Sequence, residues 1–199
     1  MAKLSISENL TKLNYLSESS AITIFILLLL SVYFILTFWV FFYRYGVLKV
    51  RISVEANSLK MLYMGRTTTV STSSVIHTYL KSINRPNKEI LHAASSDTVR
   101  TSTKGLTMLS IIASTSPFIG LFGTVVGILE TFSGLANQQS ASLSVVAPAI
   151  SEALVATAGG ISVAIFAYTF HLILKRMAYE LSSLLESQSD IILSLSNEG

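Results

Sequence analysis

Four side chains in the second half of this sequence could take part in proton chemistry: the carboxylates Glu130 and Glu152 and the hydroxyls Thr124 and Thr157. The two glutamates are the only charged residues between Gly105 and Leu174. A carboxylate inside an apolar segment of membrane-spanning length is costly, and by default it faces a protein interior or a water-filled path. A hydroxyl both donates and accepts a hydrogen bond, so it can hold water and pass a proton without becoming charged. These residue types indicate a hydrophilic route across a membrane.

Each of these residues also has a simpler interpretation. Glu130 lies near the end of its apolar segment, where an interfacial carboxylate can reach the outside water. A threonine in a membrane helix most often bonds to the carbonyl one turn back. Thr124 and Thr157 fall on two neighbouring helices, however, and together they can face one hydrated seam. Glu152 lies deeper among small residues, which favours a place in the route, or in a structural polar pair, over simple exposure.

Small residues recur on the same helix faces at steps of three and four. In lipid such residues let two helices approach closely, and Gly123 and Gly127 form the common and weak G-x-x-x-G pattern. We therefore predict close helix packing at the following positions: Gly120, Gly123, Gly127, Ala156, Gly160 and Ala164.

Composition places the chain among integral membrane proteins. Of its 199 residues, 51% are hydrophobic and only 13% are charged. Three apolar segments are long enough to cross the hydrocarbon core as helices, and they cover residues 21–43, 106–135 and 143–174. The chain has no cysteine, and its three histidines are far apart, so no thiolate or histidine metal site is expected. No nucleophile–base arrangement appears either, and we expect neither an enzyme nor a bound cofactor.

The distribution of basic residues predicts the orientation. Ten lysines and arginines and three acidic residues lie between the first and second spans, whereas the link between the second and third spans has no charge. Basic loops are retained on the cytoplasmic side. The N-terminus is therefore expected outside and the C-terminus inside, with outer segments 1–20 and 136–142 and cytoplasmic segments 44–105 and 175–199. Topology alone explains the basic excess, so no nucleic-acid binding is expected.

The cytoplasmic segments carry helical patterns of their own. Val47 to Met64 and Lys88 to Val99 read as helices, and Ile76 to Ile83 repeats the pattern more weakly. The tail places apolar residues at helical spacing, which predicts that the third span continues into the cytoplasm as one helix. Its apolar face needs a partner, either the loop helices or a second copy of the chain. The fold class is an all-α integral membrane protein with a cytoplasmic helical bundle.

The segment from Ser116 to Ile128, SPFIGLFGTVVGI, and the segment from Val146 to Gly160, VAPAISEALVATAGG, resemble the signature of the MotA/TolQ/ExbB proton channel family, ExbB and TolQ branch. The resemblance implies a homopentamer in the bacterial inner membrane that is lined by the second and third spans. Thr124 and Thr157 match the pore threonines of the family, and Glu152 matches its third-span glutamate. Glu130 has no counterpart in the pattern.

The same resemblance implies partners and a function. A single-span subunit like ExbD or TolR would supply a proton-carrying aspartate, and the complex would convert proton motive force into work on a transducer like TonB or TolA. Phe166 stands where the family often has proline, and Leu172 where it has asparagine, so the inner half of the pathway departs from the pattern. A flagellar-type stator subunit and a non-conducting membrane scaffold are the alternatives.

Overall fold

The structure is a computed structural model that describes residues 21–64, 74, 88–136 and 143–197. The predicted outer segment 1–20, loop residues 65–73 and 75–87, and most of the link 136–142 lie outside the described residues. Within the described ranges the secondary structure is entirely helical. It consists of four helices: α1 Ala21–Tyr63, α2 Lys88–Ser102, α3 Leu106–Ala136 and α4 Leu143–Asn197.

Three of these helices are long and apolar enough to cross a membrane, over Ile22–Tyr63, Leu106–Ser133 and Val146–Ser194. This confirms the prediction of three apolar helices. The first of them does not end at residue 43, where the predicted span ends, but continues to Tyr63, and α4 continues to Asn197. Two of the helices therefore extend beyond the predicted spans. The limits of the spans within these helices stay predictions.

The chain divides into two compact units, of which the first combines the chain up to Thr37 with Ser110–Tyr168. Two small apolar clusters hold its helices together. In one, Ile26 and Leu30 of α1 pack with Ala156 of α4. In the other, Ile112 of α3 packs with residues of α4, namely Val163 and Ala167. The clusters are small because most large apolar side chains of these helices point outward.

The second unit comprises Phe38–Leu109 and Thr169–Gly199. Its core is a single leucine cluster from all four helices, formed by Leu48, Leu91, Leu106, Leu109, Leu174, Leu181 and Leu185. The tail part of α4 thus packs its apolar face against α1 and α2 of the same chain. Phe41 and Phe170 stack in parallel at 3.9 Å between ring centroids, and His171 Nδ1 donates to the Leu106 carbonyl at 3.0 Å.

A buried polar cluster lies within the second unit. The carboxylate of Glu55 is 2% exposed, and both Ser74 and Gln188 are essentially inaccessible to solvent. Gln188 Nε2 donates to the Glu55 carbonyl at 2.8 Å and to the Glu55 carboxylate at 3.0 Å. The Ser74 hydroxyl donates to the same carboxylate oxygen at 2.7 Å. A buried carboxylate requires such donors, so this cluster ties α4 to α1 at one register.

Gly105 makes the turn from α2 to α3. Its φ of +95° lies in the region that favours glycine, because a Cβ there crowds the backbone. The turn is closed by the Leu106 amide, which donates to the Thr103 carbonyl at 3.1 Å.

Candidate functional site

The candidate site begins where α3 and α4 touch backbone to backbone. A Cβ added to Gly120 would lie 2.7 Å from the carbonyl oxygen of Ala156, and one added to Gly160 would lie 2.5 Å from the carbonyl oxygen of Ser116. Neither distance is possible for a real Cβ atom, and both neighbours are backbone atoms that cannot rotate away. Only glycine fits at these two positions. We call this contact the α3–α4 crossing.

Small residues extend the contact along α3. A Cβ on Gly123 would lie 3.0 Å from the Ala156 Cβ and 3.1 Å from Ile26 of α1, and one on Gly127 would lie 3.2 Å from the Ala153 Cβ. Close approach of this kind is the usual means of helix association in lipid, where apolar side chains have little preference for each other over lipid. Ala164, also predicted at a packing position, is half-buried.

Thr124 and Thr157 meet beside the crossing. Both are half-buried, and their hydroxyl oxygens are hydrogen-bonded to each other. The Thr157 hydroxyl also lies 3.1 Å from the Gly120 carbonyl, and the Thr124 hydroxyl lies 3.2 Å from the Ala153 carbonyl. The Gly120 carbonyl is within 3.3 Å of Thr124 as well. The structure thus brings together the two threonines that the sequence places on separate helices.

These contacts form a chain of four oxygen atoms with two possible directions. In one, Thr157 donates to Thr124, and Thr124 donates to the Ala153 carbonyl. In the other, Thr124 donates to Thr157, and Thr157 donates to the Gly120 carbonyl. The two carbonyl oxygens only accept hydrogen bonds, whereas each hydroxyl can both donate and accept. The direction of the bond between the two threonines can therefore reverse. In either direction the hydrogen-bonded chain ends on a backbone carbonyl oxygen.

The two glutamates occupy different surroundings. Glu152 is half-buried on α4, five residues before Thr157, which corresponds to about 7 Å along the helix axis. Glu130 is exposed, and its six-residue separation from Thr124 turns it to another side of α3. The structure does not group Glu130 with the threonine pair.

Large apolar side chains surround this site on the outward faces of both helices. The following nine are 47–71% exposed in the single chain: Phe118, Leu121, Phe122, Val125 and Leu129 of α3 and Leu154, Val155, Ile161 and Ile165 of α4. In water such a surface would be unfavourable. In a membrane it faces lipid or other protein chains.

Two features of the structure were not predicted from the sequence. Ser116 is fully buried at the α3–α4 crossing, although its position four residues before Gly120 could have indicated the same face. Glu55 is buried, and its position seven residues after the core residue Leu48 already placed it on the inner face of α1.

Comparison with known proteins identifies the family. The family model described as the MotA/TolQ/ExbB proton channel family matches residues 70–187. An ExbB-like biopolymer transport protein of Helicobacter pylori strain J99 is 43% identical over 180 residues, which cover 90% of this chain and 95% of that protein. The biopolymer transport protein ExbB of Pseudomonas putida is 48% identical over 77 residues, covering 39% of this chain and 23% of that protein.

A TolQ protein of the Tol-Pal system from Pseudomonas aeruginosa is 57% identical over 60 residues, covering 30% of this chain and 26% of that protein. The similarity to the Helicobacter protein extends over nearly the whole of both chains. Together with three helices of membrane-spanning length, these matches fit a multi-pass protein of the inner membrane. The chain belongs to the MotA/TolQ/ExbB proton channel family.

Proposed function

We propose that this protein is the proton-channel subunit of an ExbB/TolQ-like inner-membrane motor. In this function the motor converts proton motive force into work on a periplasm-spanning transducer that serves TonB- or Tol-type transport or envelope maintenance. The reversible chain of oxygen atoms through Thr124 and Thr157 carries the proposal, because it is a polar path that needs no charge of its own.

The threonine pair can pass a proton but cannot release or store one, because a hydroxyl does not ionise near neutral pH. A titratable group must therefore approach it. Glu152, half-buried about two helical turns or less from Thr157, is the candidate within this chain. The second candidate is an aspartate on a single-span partner of the ExbD or TolR type, as the family resemblance implies. A carboxyl group that alternates between ionised and neutral forms crosses a dry region cheaply only when neutral.

The exposed apolar surface of α3 and α4 supports assembly with further chains. We propose a homopentamer in which α3 and α4 surround the partner helix. The N-terminus would then lie in the periplasm and residues 44–105 and 175–199 in the cytoplasm, as the ten basic residues between the first and second spans favour. Glu130, exposed on α3, would face the outer water and take protons from it.

Proton flux into liposomes tests this function. The protein is reconstituted with its single-span partner, and Thr157→Val is compared with the wild type. Valine keeps the shape of threonine but removes the hydroxyl, so the oxygen chain is broken and flux is expected to be lost while the complex still assembles. Thr115→Val is the matched control, because among the described residues the Thr115 hydroxyl bonds only to the Ile111 carbonyl of its own helix, at 2.8 Å.

A non-conducting scaffold is the second candidate function. It is favoured by one specific observation, namely that Gly120 and Gly160 close the crossing without leaving space between the backbones. A scaffold predicts no proton flux above that of empty liposomes, with or without the partner, and equal behaviour of Thr157→Val and Thr115→Val. Flux that depends on the Thr157 hydroxyl excludes it. A flagellar-type stator subunit would conduct protons in the same assay. The identity of its partner would distinguish it from an ExbB/TolQ-like subunit.

A further inference from the structure

Ser116 has an unusual hydroxyl for a residue in an apolar helix. The residue is fully buried, and within the described part of the chain its Oγ has no hydrogen-bond partner. Neighbouring hydroxyls on α3 are satisfied by their own helix: Ser114 and Thr115 both donate to the Ile111 carbonyl. A buried donor without an acceptor costs free energy, since in the unfolded or hydrated state it bonds to water. The hydroxyl of Ser116 is therefore available to a group that the described residues do not supply.

The turn that contains Ser116 has a second polar atom to offer. The next residue, Pro117, lies inside α3 and has no backbone N–H. The carbonyl of Ala113 consequently lacks the donor that a regular helix would give it. A buried water needs two to four polar partners, and freed carbonyls next to proline in membrane helices are commonly satisfied by water or hydroxyls. Ser116 and Ala113 together provide such partners on one turn.

Access to this turn is controlled by the crossing. Gly160 of α4 lies directly against the Ser116 backbone, because an added Cβ would come within 2.5 Å of the Ser116 carbonyl oxygen. In this arrangement the Ser116 oxygen is shielded from solvent. Because Ser116 lies at the α3–α4 crossing, separation of the two helices is a movement that would admit a water molecule to its hydroxyl.

We propose that Ser116 binds a water molecule when the α3–α4 crossing opens, and that this water is one of several that continue the route from the threonine pair toward the N-terminal end of α3. Ser116, Gly120 and Thr124 lie on one face of α3, and Ser116 is about 12 Å from Thr124 along the axis. The Gly120 carbonyl, which already accepts from Thr157, lies between them. This inference rests on the proposed function. It places a polar group in the inner half of the proposed proton pathway.

Accessibility of a thiol at position 116 tests the inference. The natural chain has no cysteine, so Ser116→Cys carries its only thiol. The complex with its partner is reconstituted in liposomes under a proton gradient and treated with silver ions, and the remaining thiol is then counted after denaturation. Ser116→Cys is expected to react at a rate close to that of Thr157→Cys. Ala167→Cys, buried in an apolar cluster of the same unit, is the control and is expected to react far more slowly.

The outcomes separate the two proposals. If Thr157→Cys reacts and Ser116→Cys reacts no faster than Ala167→Cys, the inference about Ser116 is overturned and the proposed function stands. If neither Ser116→Cys nor Thr157→Cys reacts, no wet route passes this seam, and both proposals fail.

A second variant covers the case in which cysteine disturbs the crossing. Ser116→Ala removes a hydroxyl that has no partner in the closed crossing, so the melting temperature of the complex should stay the same or rise. Proton flux should nevertheless fall several-fold. Ser162→Ala is the control, because the Ser162 hydroxyl is exposed and bonds to the Ala158 carbonyl of its own helix at 2.8 Å. A residue with a structural role alone would change stability without this loss of flux, and wild-type flux in Ser116→Ala would overturn the inference.

Discussion

Two adjacent glycines of α4 should respond in opposite ways to a single methyl group. A Cβ at Gly160 would meet the Ser116 carbonyl oxygen at 2.5 Å, and the Gly120 backbone at 3.0 Å for Cα and 3.2 Å for the amide nitrogen. All three are backbone atoms, so α3 and α4 must separate to admit the methyl group. A Cβ at Gly159 would meet only Leu30 Cδ1, at 3.7 Å, which is an ordinary van der Waals distance.

The magnitudes follow from these contacts. Overpacking of a close contact costs typically about 1–3 kcal/mol, and the rigid neighbours of Gly160 place it at the upper end. Replacing glycine by alanine inside a helix returns roughly 0.5–1 kcal/mol. We therefore expect Gly160→Ala to lose about 1–2 kcal/mol and Gly159→Ala to gain up to about 1 kcal/mol. The two variants should differ by about 2–3 kcal/mol, or about 5–10 °C in melting temperature for a chain of this size.

Thermal unfolding of the detergent-solubilised protein measures this difference. Each variant is heated in steps, and the fraction that remains monodisperse is determined by size-exclusion chromatography. Because the substitutions are identical and adjacent, effects on expression and detergent binding should largely cancel. If Gly160→Ala melted at or above the temperature of Gly159→Ala, the helices would not meet at this position, and the geometry of the threonine pair would lose its basis.

Two further stability predictions concern the second unit, each read by the same unfolding assay. Gln188→Leu should destabilise the protein by about 1.5–3 kcal/mol, because it removes hydrogen bonds to the buried carboxylate and carbonyl of Glu55. Its control, Ser183→Ala on the exposed side of the same helix, should change stability by less than about 0.5 kcal/mol. Equal effects of the two substitutions would contradict the role of the buried polar cluster. Gly105→Ala should cost about 1–2 kcal/mol because its φ is +95°. Gly46→Ala should be neutral or stabilising, because outside its own stretch of helix no atom of the described residues lies within 4 Å of the added Cβ. An unaffected Gly105→Ala would show that the turn does not need this conformation.

The helices were predictable from the sequence, but their lengths were not. Hydropathy located three apolar helices because burial in lipid requires long uncharged runs. The aromatic residues of 39–43 and Arg44 close the first apolar run and are where we expect lipid to end, but they say nothing about where backbone hydrogen bonding ends. Good helix-forming residues continue beyond them, so α1 extends to Tyr63.

The residue types of the candidate site and the helix faces on which they lie were predictable from the sequence. The contacts between α3 and α4 were less predictable. Periodicity put Thr124 on the face of Gly120, but the register of α3 against α4 depends on which glycines meet, and Gly120 meets Gly160. That register determines the hydrogen bond between Thr124 and Thr157. Their role in proton movement stays a prediction, as does that of Glu152. The burial of Glu55 was missed because a charged side chain in a helical pattern normally faces water.

The most direct test of the central claim is proton flux through the double variant Thr124→Val/Thr157→Val, reconstituted with the single-span partner and compared with both single variants. If the two hydroxyls form one relay, removing either one breaks it, and effects of groups that act as a unit do not add. The double variant should therefore conduct no less than either single variant, with all three near the background of empty liposomes. Flux at the wild-type level in the double variant would contradict the claim that protons pass through this pair.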